Sequence, residues 1–300
     1  MKTELIAFTD RGFALAEKLA TELGGSATRC GVPLGLGEWT ASKFHSSCGL
    51  VFVGAAGIAV RAIAPFVSSK LSDAAVVVVD ENAQFAVPIL SGHLGGGNDL
   101  ARQIAKLCGA QAVITTATDG RGTFAVDEWA RHQGCAIANP EKIKTVSAKL
   151  LGGAEVHFHT DMSVQGELPA GVTYSEAQNC DFSLSVSNDA TETLRLVPKI
   201  AVIGIGCKKG TSCAAIEKVF RQLLIAGGVD ERAVTLACSI DLKKDEAGIV
   251  EFCAAHSFEY KTFSPQQLES VSGDFSSSAF VRSVTGVDNV CERSAVLGSG

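Results

Sequence analysis

Residues 74 to 107 read AAVVVVDENAQFAVPILSGHLGGGNDLARQIAKL, and the folding of this stretch decides the architecture. Its opening run, Ala74 to Asp80, is apolar and β-branched, the pattern of a strand covered on both faces. Gln84 to Leu90 reads as another strand. Pro88 there argues for an edge or a strand end, because proline has no amide to give to a ladder. A glycine-rich turn, Ser91 to Leu100, then passes into a helix from about Asn98 to Leu107.

The same alternation extends to either side. On the N-terminal side are a strand Glu4 to Phe8, an amphipathic helix Gly12 to Leu23 ending at Gly24-Gly25, and a buried strand GLVFVG. After the strand, a turn Gly54 to Gly57 leads to a helix from Ile58 to about Ala64, stopped by Pro65. On the C-terminal side, Gln111 to Thr116 reads as a buried strand running into the loop ATDGRG. Strand–helix alternation of this kind predicts a mostly parallel sheet with helices on both faces.

The middle of the chain changes character. A helical stretch Pro140 to Leu151 is followed by short alternating strands at Val156 to Thr160, Phe182 to Ser187 and Thr193 to Val197, a small α+β region. From Pro198 the alternation resumes: strand Lys199 to Gly206, helix Ser212 to Ala226, strand Ala233 to Asp241, helix Asp245 to Ala255 and strand Phe258 to Phe263. Pro265 opens a short helix, and another helix begins near Asn289. The expected class is therefore α/β: two mostly parallel three-layer units, 1–135 and 198–300, joined by an α+β middle region, 136–197. A doubly wound unit returns one more strand after such a helix, so the C-terminal unit is expected to be shortened at its end.

Composition narrows the function classes. With 46% hydrophobic and 19% charged residues, 300 residues fill two or three domains with substantial cores. A net charge of -6 without a Lys/Arg run longer than two argues against nucleic acid, while a local cationic pocket for a small anion stays open. The longest near-apolar stretch, Leu50 to Val67, is broken by Gly54, Gly57, Arg61 and Pro65, so no membrane span is expected. The N-terminus lacks the apolar length of a signal peptide. Ten cysteines include no CxxC pair. Scattered free thiols of this kind fit a reducing cytoplasm better than a metal cluster or a disulfide scaffold.

The residues that carry chemistry cluster at strand ends. In the turn, Gly92, Gly95, Gly96 and Gly97 let the backbone approach a ligand, and amides opening the next helix attract anions. His93 can serve there as acid, base or anion binder. Asn98 and Asp99 are equally good helix caps. In the loop Thr115 to Gly122, Thr115, Thr116 and Thr118 offer hydroxyls, and Asp119 offers a carboxylate that could pair with His93, or simply an Asp-Gly turn. Gly54 to Arg61 is expected to bring Gly57 and Arg61 to the same sheet edge, with Arg61 on a substrate carboxylate or merely solvated. Lys70 and Asp73 read as a surface pair. Further along, Gly204 to Ser212 (GIGCKKGTS) fails the GxGxxG and P-loop patterns, which counts against a third, weaker reading as a nucleotide enzyme or methyltransferase. Its Lys208 and Lys209 before a helix still form an anion site, with Gly206 in the turn and Cys207 as a thiol beside the lysines. Asp241, Lys244 and Glu246 end the next strand, with helix capping the ordinary role for Asp241.

The ordered set VGAAGIAVRAIAP, LSGHLGGGNDLA, VITTATDGRGTFAVDEWA and VIGIGCKKGTS resembles the CbiG family of cobalamin biosynthesis, from about Gly49 to the end. Gly97 stands where the resemblance implies alanine, and members of that family extend further past VCERSAVLGSG. The resemblance implies hydrolysis of cobalt-precorrin-5A, opening the δ-lactone of a ring-contracted cobalt tetrapyrrole with loss of acetaldehyde. It also implies no organic cofactor, since the cobalt belongs to the substrate, and transient contacts at most with other enzymes of the pathway. His93 or Asp119 would activate water, and amides near Gly95 and Gly96 would hold the oxyanion. Gly57, Arg61, Ser91, Gly92, Asn98, Thr115, Thr116, Thr118, Gly206, Cys207 and Lys208 would contact the macrocycle. The rival from another class is a non-catalytic carrier that binds the tetrapyrrole without turning it over. Oligomeric state is not legible.

Overall fold

In the computed structural model, residues 1–69, 72–116, 123–189 and 191–300 are described. The chain divides into two compact units, one of Met1–His132, Pro140–Val156 and Leu168–Val172, the other of Gln133–Asn139, His157–Glu167 and Thr173–Gly300.

The first unit is built on a six-stranded sheet ordered β2-β1-β3-β4-β5-β6. Its strands are β1 Lys2–Ala7, β2 Ser26–Arg29, β3 Cys48–Val53, β4 Ala75–Val79, β5 Phe85–Leu90 and β6 Gln111–Ala112. Strict alternation decides what each face buries. Leu5, Val51, Val53, Val77 and Val79 pack with helices α1 (Asp10–Leu23) and α4 (Gly97–Cys108). Ile6, Leu50, Phe52, Val76 and Val78 point the other way, onto Trp39 of α2 (Leu36–Lys43) and Ala59 and Ile63 of α3 (Ala56–Ile63). Trp39 meets Phe52 edge-on at 5.6 Å between centroids. The unbroken apolar runs are thus those of a sheet covered on both sides. The sequence pattern had not marked β2 or α2.

One reversal decides which strand ends share an edge of the sheet. Strands β1 to β4 are mutually parallel, whereas β4 and β5 pair antiparallel. The intervening residues 80–84 make a hairpin turn in which the Asp80 carboxylate accepts from the amides of Asn82 (3.0 Å), Gln84 (2.8 Å) and Phe85 (2.7 Å). Because β6 is parallel to β5, the C-terminal ends of β5 and β6 share one edge of the sheet. The C-terminal end of β3, from which α3 starts, lies at the opposite edge. Pro88 sits within β5 beyond the two residues that pair with β6, on the side that needs no donor. The strand expected to reach Thr116 pairs only through Ala112, although the Val113 amide still donates to Ala86.

The first unit also holds α5 (Val126–His132) and α6 (Ile143–Leu151). A second sheet, ordered β7-β11-β10-β8-β9, contains β7 Cys135–Ile137, β8 Val156–Thr160, β9 Val172–Tyr174, β10 Phe182–Leu184 and β11 Leu194–Pro198. Its strands alternate, yet Phe158 and Phe182 stack at 4.8 Å and are fully buried, so one face is core. In the second unit Arg195 pairs with Asp230 at 2.8 Å, both nearly buried.

The C-terminal sheet is three parallel strands, β12 Ala201–Gly204, β13 Val234–Ile240 and β14 Glu259–Phe263. Helices α7 (Cys213–Gly227) and α8 (Ala247–His256) cover one face through Phe220, Leu224, Ile249 and Phe252. The other face packs on Leu268 of α9 (Pro265–Glu269), Val287, Val290 and Leu297 of α11 (Cys291–Ser299). Between these runs α10 (Ala279–Thr285), which buries no side chain. All ten cysteines are free. Cys238 and Cys253 lie inside the core, where burial pushes both thiols up to about 11, the behaviour of a small apolar side chain. Among the described residues no helix is long and apolar enough to cross a membrane.

Candidate functional site

The turn that joins β5 to α4 is a closed knot of backbone. Ser91 adopts φ +52° and donates its hydroxyl to the Asp73 carbonyl at 3.2 Å. The amide of Gly97 donates back to Ser91 O (3.0 Å), that of Asn98 to Gly92 O (2.9 Å) and that of Gly96 to His93 O (3.0 Å). A Cβ at Gly95 would stand 2.4 Å from Ser91 Cβ, and one at Gly92 would stand 2.6 Å from Asn98 Oδ1. Gly96 takes φ +81°. The glycines are therefore demanded first by the knot itself. The amide of Gly96, expected to hold an oxyanion, is already engaged. Asn98 is buried and donates to Thr116 Oγ1 at 3.2 Å, which ties the turn to the chain leaving β6.

His93 is the side chain that the knot presents. Its Nδ1 lies 3.6 Å from Oδ1 of Asp127, with both groups largely buried. Asp127 comes from α5, and one helical turn further on Arg131 donates its Nε to His93 O at 3.2 Å. The Arg131 guanidinium lies against Gly96 and also bonds Asp99 of α4. Asp99 further receives His132 Nε2 (2.6 Å) and Arg102 Nη1 (2.8 Å), and Arg102 reaches Glu128 (3.0 Å). Burial alone would raise the Asp99 carboxyl, but hydrogen bonds from His132 and Arg131 and the nearby cations hold it down to about 2. Asp99, Glu128 and His132 bring ligand-type atoms within 4.8 Å of one another. Two guanidiniums share these carboxylates, so the cluster is a salt-bridge knot clamping α5 to the turn.

The structure thus separates the residues expected to form one site. Ser91, Gly92, His93, Gly95, Gly96, Asn98 and Thr116 come together, with Thr115 exposed beside them. Gly57 and Arg61 do not join them: the hairpin at 80–84 reverses the sheet direction and leaves α3 at the far edge. Asp73 is no surface residue. It is 4% exposed, and its carboxylate accepts the amides of Ser68 and Ser69. Lys70, Thr118 and Asp119 lie outside the described residues. Asp127 and Arg131 were missed at the sequence level. Their signal was present in FAVDEWARH, where Asp127 and Arg131 are four apart and so share a helix face.

Gly206, Cys207 and Lys208 belong to the second unit, in the loop between β12 and α7. At the start of α7, the Gly210 and Ala215 amides, expected to help attract an anion, are already engaged by the protein's own groups. Ser212 Oγ caps the helix by accepting from Ala215 N at 3.3 Å. Glu246 accepts the Gly210 amide at 2.7 Å and Lys243 Nζ at 2.8 Å. Gly204 and Gly206 are fixed by Cys291 at the start of α11: a Cβ on Gly204 would lie 1.7 Å from its carbonyl oxygen. The loop borders a cavity of about 720 Å³ within this unit.

Comparison with known proteins places these features in context. Residues 38–119 match the profile described as cobalamin synthesis G N-terminal, residues 124–202 the cobalamin biosynthesis central region and residues 201–300 the cobalamin synthesis G C-terminus. The cobalt-precorrin-5A hydrolase of Salmonella typhimurium is 32% identical, covering 98% of this chain and 90% of its own length. That of Priestia megaterium is 33% identical over 86% of this chain and 75% of its own. A solved structure of a cobalamin biosynthesis protein G homologue from Sulfolobus solfataricus is 20% identical, with a TM-score of 0.46, covering 99% of this chain and 89% of that one.

Proposed function

The chain belongs to the CbiG family, and on that premise we propose that it is a cobalt-precorrin-5A hydrolase that opens the substrate δ-lactone and releases acetaldehyde. The observation that carries the reading is the His93–Asp127 pair, presented on a rigid turn at the shared edge of β5 and β6. A carboxylate facing Nδ1 favours the proton on that nitrogen, which leaves Nε2 as the one to accept a proton.

Water deprotonated by His93 Nε2 adds to the lactone carbonyl. The acyl–oxygen bond then breaks, the carbonyl carbon ends as a carboxylate and the ring oxygen leaves as an alcohol. Loss of acetaldehyde follows when that alcohol gives up its proton and its carbon becomes the aldehyde carbonyl. The electron pair of the broken carbon–carbon bond passes into the conjugated macrocycle. Cobalt enters as part of the substrate, and no organic cofactor is needed for either step. Thr115 and Thr116, on the chain leaving β6, are the proposed contacts for a polar substituent of the macrocycle. Asp119 stays a proposed partner in this chemistry. A cytoplasmic setting and transient contacts with other enzymes of the pathway complete the reading.

Turnover discriminates this from a carrier. Purified protein mixed with cobalt-precorrin-5A should release acetaldehyde catalytically; stoichiometric retention of unaltered coloured macrocycle would instead make the chain a binding protein.

A further inference from the structure

The second unit holds a cavity that the hydrolytic step does not use. It measures about 720 Å³, large enough for much of a macrocycle. Its walls are mostly apolar and unusually open to solvent: Phe280 is 71% exposed, Leu242 65% and Val284 61%. Phe280 and Val284 lie four apart on α10, so they present one apolar strip to the cavity. Exposed apolar side chains gathered around a cavity make a surface that a ligand can cover.

The charge of the lining is mixed, with lysines in excess of acids. Lys208 and Lys209 line the cavity and are exposed; neither makes an ion pair within 4 Å among the described residues, although Lys209 acts on Glu246 through space. Lys243 also lines it but is held by Glu246 at 2.8 Å. Of the two acids of the wall, Asp288 is paired with cations, while Glu292 stays an anion held by hydrogen bonds. Asp288 is bonded by Arg293 (3.0 Å) and flanked by Arg282 (3.4 Å), and Glu292 accepts from the Ser276 hydroxyl (2.6 Å) and amide (3.2 Å). The acids of 276–292 are thus engaged within the wall, and a ligand meets an apolar floor with Lys208 and Lys209 at its rim.

We propose that this cavity is a binding site for the polycarboxylate macrocycle, with the ring edge against Phe280, Val284 and Leu242 and ring carboxylates on Lys208 and Lys209. The assignment deepens the hydrolase reading and rests on it for the identity of the ligand. Cys207 then lies at the edge of the bound ring and takes no part in bond making.

The test is spectrophotometric titration of the full chain with dicyanocobyrinic acid, a corrin polycarboxylate, and with dicyanocobinamide, the same ring bearing amides. Lys208→Glu with Lys209→Glu should weaken binding of the acid by about tenfold or more and leave binding of the amide unchanged. Phe280→Ser with Val284→Ser should weaken both. All four positions are exposed, so the far-ultraviolet circular dichroism and melting temperature should stay at wild-type values. Wild-type affinity for the acid in both double variants overturns the proposal, as does a wild-type chain that binds neither corrin. Acetaldehyde release by wild-type protein is scored separately: catalysis without corrin binding in this cavity removes the cavity and keeps the hydrolase, whereas corrin binding without catalysis does the reverse.

Discussion

At Gly95 an added methyl group would sit 2.4 Å from Ser91 Cβ and 2.7 Å from Ser91 O. Gly95→Ala should therefore destabilise the protein by about 1–3 kcal/mol, the usual range for forced overpacking. At Gly57, in the first turn of α3, the nearest atom would be Arg61 Nη1 at 3.7 Å. Gly57→Ala should thus be neutral or stabilising by about 0.4–1 kcal/mol. Denaturant unfolding of the two variants reads the contrast. Gly97 falls between: a Cβ there would approach Leu90 O at 2.9 Å, so the alanine implied by the family resemblance needs a small shift of the turn. Asp127 is the other decisive position. Asp127→Asn keeps the shape but removes the charge beside His93, and it should lower kcat at least about tenfold with little change in KM. An equal rise in KM with kcat unchanged would show that Asp127 only shapes the pocket.

Two elements decide the site, and they differ in legibility. The hairpin between β4 and β5 was available from the sequence: a parallel crossover needs about a dozen residues, and 80–84 supplies far fewer. Reading β5 as one more parallel strand is what brought Gly57 and Arg61 to the wrong edge. Helix α5 was harder to read. At seven residues it is too short for a convincing periodic signal, and what holds it is the charged knot with α4, a contact distant in sequence. The Ser91 turn was plain in its glycines, but their purpose was not, because spacing does not reveal which amides the turn itself engages. The knot also makes a pH prediction. Asp99 is held low, so its contribution to stability is complete above its ordinary value near 3.8 and is lost as pH falls towards about 2. The melting temperatures of wild type and Asp99→Asn should differ at neutral pH and converge by about pH 2. A constant difference across that range would mean that the clamp is not electrostatic.

On the scale of the whole chain, the α/β class and most alternating elements of both ends, β2 and α2 excepted, followed from apolar periodicity and glycine and proline signals. The strand order did not, since registers and reversals are set by pairings that no local pattern records. Function was legible through the ordered motifs, and the comparisons place the chain in the CbiG family along most of its length. In the proposed mechanism the chemistry turns on a single imidazole, that of His93. The most direct measurement is acetaldehyde release from cobalt-precorrin-5A by His93→Ala. Loss of activity by about 10²–10⁴-fold, the usual effect of removing a general base, is the predicted result. Release at the wild-type rate would contradict the account.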